Sequence, residues 1–465
     1  MRQDTSTIPF TDIRCLFDEG NTRDLFELAA IYSKHDLLLG AIQELTCCEL
    51  TYSTVSGKRV LLKPNWVKHS LVPSDQVALC THENFTLAVL DLVLSLQPSR
   101  VVLGDAPIQG CNWERLLTPE FTAKIRAKSE RYGIPVSIKD FRRVVFDIEE
   151  NSLTQVKDNL DEFIVFDVGP RSFLEPVTHP TENQFRVTVY NPDRFKESHR
   201  PGVHKYCITR ELFEADIVIS LPKVKTHQKA GITAALKNLV GINGDKDFLP
   251  HHRLGGTGRG GDCYPGDSRL RYLSELCYDQ GNRHRGRWQY KFWTRIGSAL
   301  WRLSFPGEVH QVAAGWYGND TTWRMVMDLN MIINYGTKEG SLAETPQRTL
   351  YSLCDGVIGG QGNGPLEPEP LNLGIITFSN NSALNDICCA KLMGMEVGRI
   401  PLLVAAAKTF LRSKYQIRLN GRKIDLEELE PYSITAKMPP GWLNYRELAP
   451  LADYGQLMDS ATRTV

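Results

Sequence analysis

The sequence predicts an α/β protein: a mostly parallel sheet with helices on both faces, a Gly-rich loop and a basic helix inserted, and a small C-terminal extension. Two observations predict it. Short apolar runs, RVLLK at 59–63 and RVVLG at 100–104, bracket ENFTLAVLDLVLSLQ at 83–97, whose apolar residues recur with helical period. That is the pattern of a right-handed parallel crossover. Further short runs follow at 134–138 (IPVSI), 215–220 (ADIVIS), 354–359 (CDGVIG) and 373–379 (LGIITFS), separated by helical or loop sequence. Such alternation is expected when helices cover both faces of a parallel sheet.

Taken in order, residues 1–55 read as a helical leader, on the apolar pattern at 25–45. The first part of the core spans 56–254. At 255–267, GGTGRGGDCYPGD is too rich in turn formers for a helix or central strand, and reads as a long functional or mobile loop. Between Asp279 and Glu308 there is no acidic residue, while Arg283, Arg285, Arg287, Lys291, Arg295 and Arg302 are basic. On a helix, Trp288, Phe292, Ile296 and Leu300 form one apolar stripe among these charges. The segment 283–303 therefore either packs on the domain with a solvated basic face or docks on a membrane surface or acidic partner. It closes an insertion over 255–312. The second part of the core spans 313–410, with a helix at 323–335, and 411–465 is the C-terminal extension.

Composition excludes several classes. The 54 Lys plus Arg residues balance 54 Asp plus Glu, so no global field draws the chain to nucleic acid. No apolar run approaches the ~18 residues needed to span a bilayer, and MRQDTSTIPFTDIRC lacks the apolar core of a secretion signal. The 11 cysteines are scattered, with no C-x-x-C, which points to reduced core residues in a cytoplasmic protein.

In open parallel sheets ligands sit beyond the carboxyl ends of the strands. Lys63 and Asn65 follow the first run, suited to an anion and a carbonyl, although Asn65 also fits an Asx turn. Asp105 ends the second run, placed as a metal-binding or general-base carboxylate, or as a helix cap. Gly362, Asn363 and Gly364 permit close backbone approach to a ligand. The densest group is Lys223, Lys225, His227 and Lys229, followed by AGITAALKNLVG at 230–241, which reads as a helix carrying Lys237 and Asn238, and then by Arg253. So many cations near a helix start call for an anion. His227 is the candidate proton shuttle, since imidazole titrates near neutrality. Trp316, Tyr317 and Asn319 offer stacking faces and a polar contact, and Asp320 either a metal ligand or a cap for the helix at 323–335.

The strand-end signatures KPN (63–65), GDAP (104–107), ADIVISLPKVKTHQKAGITAALKNLVG (215–241), WYGNDTTWR (316–324) and CDGVIGGQGNGP (354–365) resemble domain-of-unknown-function family 362, over roughly 58–400. Many members carry a ferredoxin-like cysteine module. This chain lacks its spacing, so no iron–sulfur cluster is expected. His227 followed by Ala234-Ala235-Leu236-Lys237 is also similar to the N-terminal domain of nickel-pincer lactate racemases, in which a Lys carries the cofactor and a His works beside it. The racemases have a further His where this chain has Gly104-Asp105-Ala106-Pro107.

The expected function is an enzyme that binds an anionic small molecule, carboxylated or phosphorylated, at the carboxyl edge of the sheet. Lys63, Lys225, Lys237 and Arg253 hold the anion in this reading; Asp105 with Asp320 or Asp355 takes a divalent metal; and His227 moves a proton. The alternatives are a pincer-like racemase with a modified Lys237, and a non-catalytic protein docking through 283–303. The cofactor, the oligomeric state and whether the loop at 255–267 closes over the site are left open by the sequence.

Overall fold

Twelve strands build one mixed, mostly parallel sheet. In chain order they are β1 (Phe10–Cys15), β2 (Arg59–Pro64), β3 (Arg100–Asp105), β4 (Val136–Asp140), β5 (Ile217–Leu221), β6 (Lys223–His227), β7 (Gly231–Thr233), β8 (Thr349–Asn363), β9 (Glu367–Leu371), β10 (Ile375–Ser379), β11 (Gln416–Leu419) and β12 (Arg422–Ile424). The order across the sheet is β12-β11-β1-β10-β8-β5-β2-β3-β4, with β6 and β9 paired to β8 and β7 to β6. β8, β5, β2, β3 and β4 run parallel, whereas β10 lies antiparallel between β8 and β1. The computed structural model describes residues 8–17, 23–70, 73–147, 152–156, 160–304, 313–411 and 414–452.

The period-two alternation of the central strands separates two cores. Val60, Leu62, Val101, Leu103, Ile217 and Ile219 face one side, against Leu28, Ile42, Phe85, Leu90 and Phe121. These come from helices α1 (Leu25–Ser33), α2 (His35–Thr46), α3 (Glu83–Ser95) and α4 (Pro119–Tyr132). Leu61, Val102 and Val218 face the other side, against Met325, Ile332, Leu384 and Leu403. After the insertion helices α5 (Arg269–Arg283) and α6 (Trp288–Leu303), these belong to α7 (Thr322–Tyr335), α8 (Ser382–Leu392) and α9 (Pro401–Phe410). Each fully buried aliphatic side chain contributes about 1.5–3 kcal/mol, so both layers are needed to hold the sheet. α4 shows how locally its ends are set: Thr118 caps Phe121 N, Pro119 opens the first turn, and Gly133 closes the helix at φ 66°.

Three expectations change. The leader is more than helical, because β1 inserts between β10 and β11, and Tyr32 of α1 donates to Asp355 at 2.5 Å. The extension likewise supplies β11 and β12 and seats Trp442 over Gly231. Residues 230–241 are not one helix: β7 is followed by a helix of only Ala235–Asn238 and a 3₁₀ turn, Leu239–Ile242. The basic helix forms as predicted, although 305–312 of the insertion lie outside the described residues, as do parts of the leader and extension. Among the described residues, no helix is long and apolar enough to cross a membrane.

Candidate functional site

β2, β3, β5 and β6 deliver Lys63, Asp105, Leu221 and Lys223–His227 to one edge of the sheet. Burying lysines there requires partners, and the structure divides them into two kinds. Lys63 and Lys223 are paired. Lys63 Nζ lies 2.7 Å from Asp105 Oδ1 and donates to Asn238 Oδ1 at 3.0 Å and Pro64 O at 2.8 Å. Asp105 also accepts Trp66 N and Ala106 N, so its carboxylate is saturated. Gly241 packs directly on this pair, where a methyl group would overlap both the Asp105 carboxylate and the Lys63 ammonium. Lys223 Nζ lies 2.6 Å from Asp355 Oδ2 and donates to Tyr32 OH and Ile358 O.

Among the described residues, the other lysines make no close ion pair with a carboxylate. Lys225 donates to the carbonyls of Leu79 and Pro365, and Lys246 to those of Ala106 and Asn243. Lys229 and Lys237 are partly exposed, and no hydrogen-bond acceptor meets either ammonium among the described residues. Burial first, and then the charges of Lys246, Lys225, Lys229 and Lys63, push the Lys237 ammonium down to about 7. Burial likewise takes Lys225 to about 7, and Lys229 and Lys246 to about 8. The charged form of these amines is therefore disfavoured unless an anion answers it.

His227 stands beside these lysines. Its Nδ1 accepts Lys229 N at 3.0 Å and Ala230 N at 3.1 Å, which leaves the proton on Nε2. Burial, followed by the charges of Lys237 and His251, holds the ring well below its ordinary range. Both effects favour the neutral imidazole, with its Nε2–H left as a hydrogen-bond donor, over the charged form of the expected shuttle. The helix start expected to receive an anion is already occupied by the protein's own: Asp386 of α8 accepts Ala235 N at 2.7 Å and Leu236 N at 2.9 Å. Nothing in the local sequence signals this contact.

The structure does not bring the expected metal ligands together. Asp105 and Asp355 serve separate lysines, while Asp320 pairs with Arg324 and lies 3.6 Å from Arg253 Nη1. Nor does Asp320 cap α7: Asn319 Oδ1 takes Thr321 N and Thr322 N, while Asp320 accepts Trp323 Nε1. Trp316 is a buried support that donates to Asp262 O and packs against Tyr317, 5.2 Å between ring centroids. Gly362, Asn363 and Gly364 meet protein: Gly362 N donates to Lys437 O, Asn363 Oδ1 accepts Gln228 Nε2, and Gly364 lies against Thr226 O. Asn65 and Asn238 do join the Lys63 network, and the buried Asn65 Oδ1 has no hydrogen-bond partner among the described residues. A group the sequence did not single out lies close by. His252, Cys263 and Glu275 are all buried and converge, with Lys229 acting on all three electrostatically.

The fold and edge define an α/β domain with a lysine cluster at one edge of a mixed, mostly parallel sheet. Residues 179–391 match the family model described as Domain of unknown function (DUF362), and the chain carries a DUF362 domain over that span. The match includes Lys223–Lys246, His252, Cys263 and Glu275, while Lys63 and Asp105 lie before it. No curated protein matches the chain. A crystal structure of a Thermotoga maritima protein, a Northeast Structural Genomics Consortium target, is similar at TM-score 0.36 and 10% identity. The similarity covers 78% of this chain and 59% of that one.

Proposed function

We propose that this protein binds a carboxylated or phosphorylated small molecule at the lysine cluster. The observation that carries the reading is that the Lys229 and Lys237 ammonium groups meet no acceptor among the described residues, with Lys237 crowded by Lys246, Lys225, Lys229 and Lys63. A bound anion relieves that crowding, and its contacts to ammonium groups are the stronger, charge-assisted kind. His227, with its proton held on Nε2, is suited to donate to a carbonyl or phosphoryl oxygen of the same ligand. Sulfate, whose charge is constant over the range used, is the probe for calorimetric titration. Binding is expected to weaken between about pH 6 and about pH 9, because the Lys237 ammonium, held to about 7, loses its proton across that window. Affinity that is absent, or that rises with pH, counts against this reading.

A specific observation favours a second reading, docking on an anionic membrane surface through the insertion. Trp288 is 72%, Phe292 48% and Leu303 72% exposed on α6, beside exposed Arg287, Lys291, Arg295 and Arg302. An amphipathic helix of this kind gains from both apolar insertion and anionic headgroups. At low salt the protein is expected to float with vesicles rich in anionic lipid, and Arg287→Glu with Arg295→Glu is expected to abolish flotation. Retention in the supernatant at low salt sinks the docking reading and leaves the lysine cluster untouched.

A further inference from the structure

The 255–267 loop folds back so that three residues far apart in type meet. His252 lies on a short strand, His252–Arg253; Cys263 lies in the loop; and Glu275 lies on α5. Each offers one ligand atom, and these atoms lie within 4.8 Å of one another. The residues are 2%, 1% and 6% exposed, so bulk water does not explain their convergence. Gly255 N donates to Glu275 Oε2 at 2.9 Å and fixes the carboxyl group. Glu275 Oε1 then faces His252 Nε2 at 3.3 Å, and has no hydrogen-bond partner among the described residues. Beside them a small cavity is lined by His252, Glu275, Arg186, Asp279 and Ala313.

We propose that His252, Cys263 and Glu275 hold one divalent transition-metal ion of the zinc type, with a fourth coordination position facing that cavity. Thiolate, imidazole and carboxylate together suit zinc, and the thiolate disfavours magnesium or calcium. Charge supports the assignment, since one thiolate and one carboxylate neutralise a divalent ion in a site that excludes solvent. Three protein ligands with a remaining position is the pattern of a catalytic rather than a structural zinc site.

The site is tested on the full chain, stripped with a chelator and reloaded with zinc or cobalt(II), and no anionic ligand enters the measurement. Failure here is therefore distinct from failure of anion binding. The expected result is one metal per chain, and a thiolate-to-cobalt charge-transfer band in the wild-type spectrum. Cys263→Ser is expected to lose the band. Cys277→Ser, and Cys47→Ser with Cys48→Ser, are expected to keep it. His252→Gln is expected to weaken zinc at least about tenfold in chelator competition, since even residues that only support a ligand cost that much. The wild-type spectrum is decisive even where a variant fails to fold: cobalt bound with no thiolate band, or no metal retained, overturns the proposal. Loss of the band in the Cys277 or the Cys47/Cys48 variant overturns it equally.

Discussion

Asp355→Ala is expected to lower the free energy of unfolding by ~3–5 kcal/mol, the size found when one partner of a buried ion pair is removed. Asp355 and Lys223 are both fully buried, so the variant strands an ammonium ion where neither water nor another carboxylate reaches it. Three groups each lose an acceptor: Lys223 Nζ at 2.6 Å, Tyr32 OH at 2.5 Å and His82 N at 2.9 Å. The last two tie α1 and the start of α3 to β8, so the damage spreads from a charge to the packing of one helical layer. Urea unfolding followed by fluorescence measures the loss. Lys223→Met combined with Asp355→Leu is expected to recover most of it, because the uncompensated charge rather than the missing contact dominates. A loss below ~1 kcal/mol for the single variant is the size of a surface pair and would show that solvent reaches Lys223.

That result bears on how far the sequence could be read. The sheet was legible because its strands are short apolar runs that alternate with helical periodicity, and RVLLK, RVVLG and ADIVIS fall on β2, β3 and β5. β1 was not, although FTDIRC buries Phe10, Thr11, Ile13 and Cys15. Thr11, Asp12 and Arg14 break its apolar run, and the partners that fix it lie far off at 375–379 and 416–419. At the site, position along the chain pointed to Lys63, Lys223, Lys225 and Lys237 alike. What separates them is which carboxylate each one meets, and those contacts are non-local: Asp105 comes from β3 and Asp355 from β8. The same holds for Asp386, which occupies a helix start 150 residues earlier in the chain. Spacing also concealed His252, Cys263 and Glu275, because no short metal-binding motif joins them and only the folded loop makes them neighbours.

Lys237→Ala separates function from structure at the lysine cluster. It is expected to weaken sulfate binding about 10–100-fold, which corresponds to the ~1.5–3 kcal/mol of one charge-assisted contact. The thermal midpoint is expected to hold or rise, because Ala suits the helix Ala235–Asn238 and the substitution removes a cation crowded by Lys246, Lys225, Lys229 and Lys63. The pH dependence supplies an independent check. In the unfolded chain a lysine titrates near ~10.4, whereas in the folded protein Lys237 is held to about 7. Between these values the unfolded state binds the extra proton, so ligand-free stability rises with pH across the window and is lost as pH falls through it. The Ala variant is expected to show a shallower rise over the same range, and saturating sulfate is expected to flatten the wild-type profile by restoring the proton to Lys237. A large fall in midpoint with sulfate binding retained would instead make Lys237 a structural residue, and would move the anion to Lys229 and Lys225.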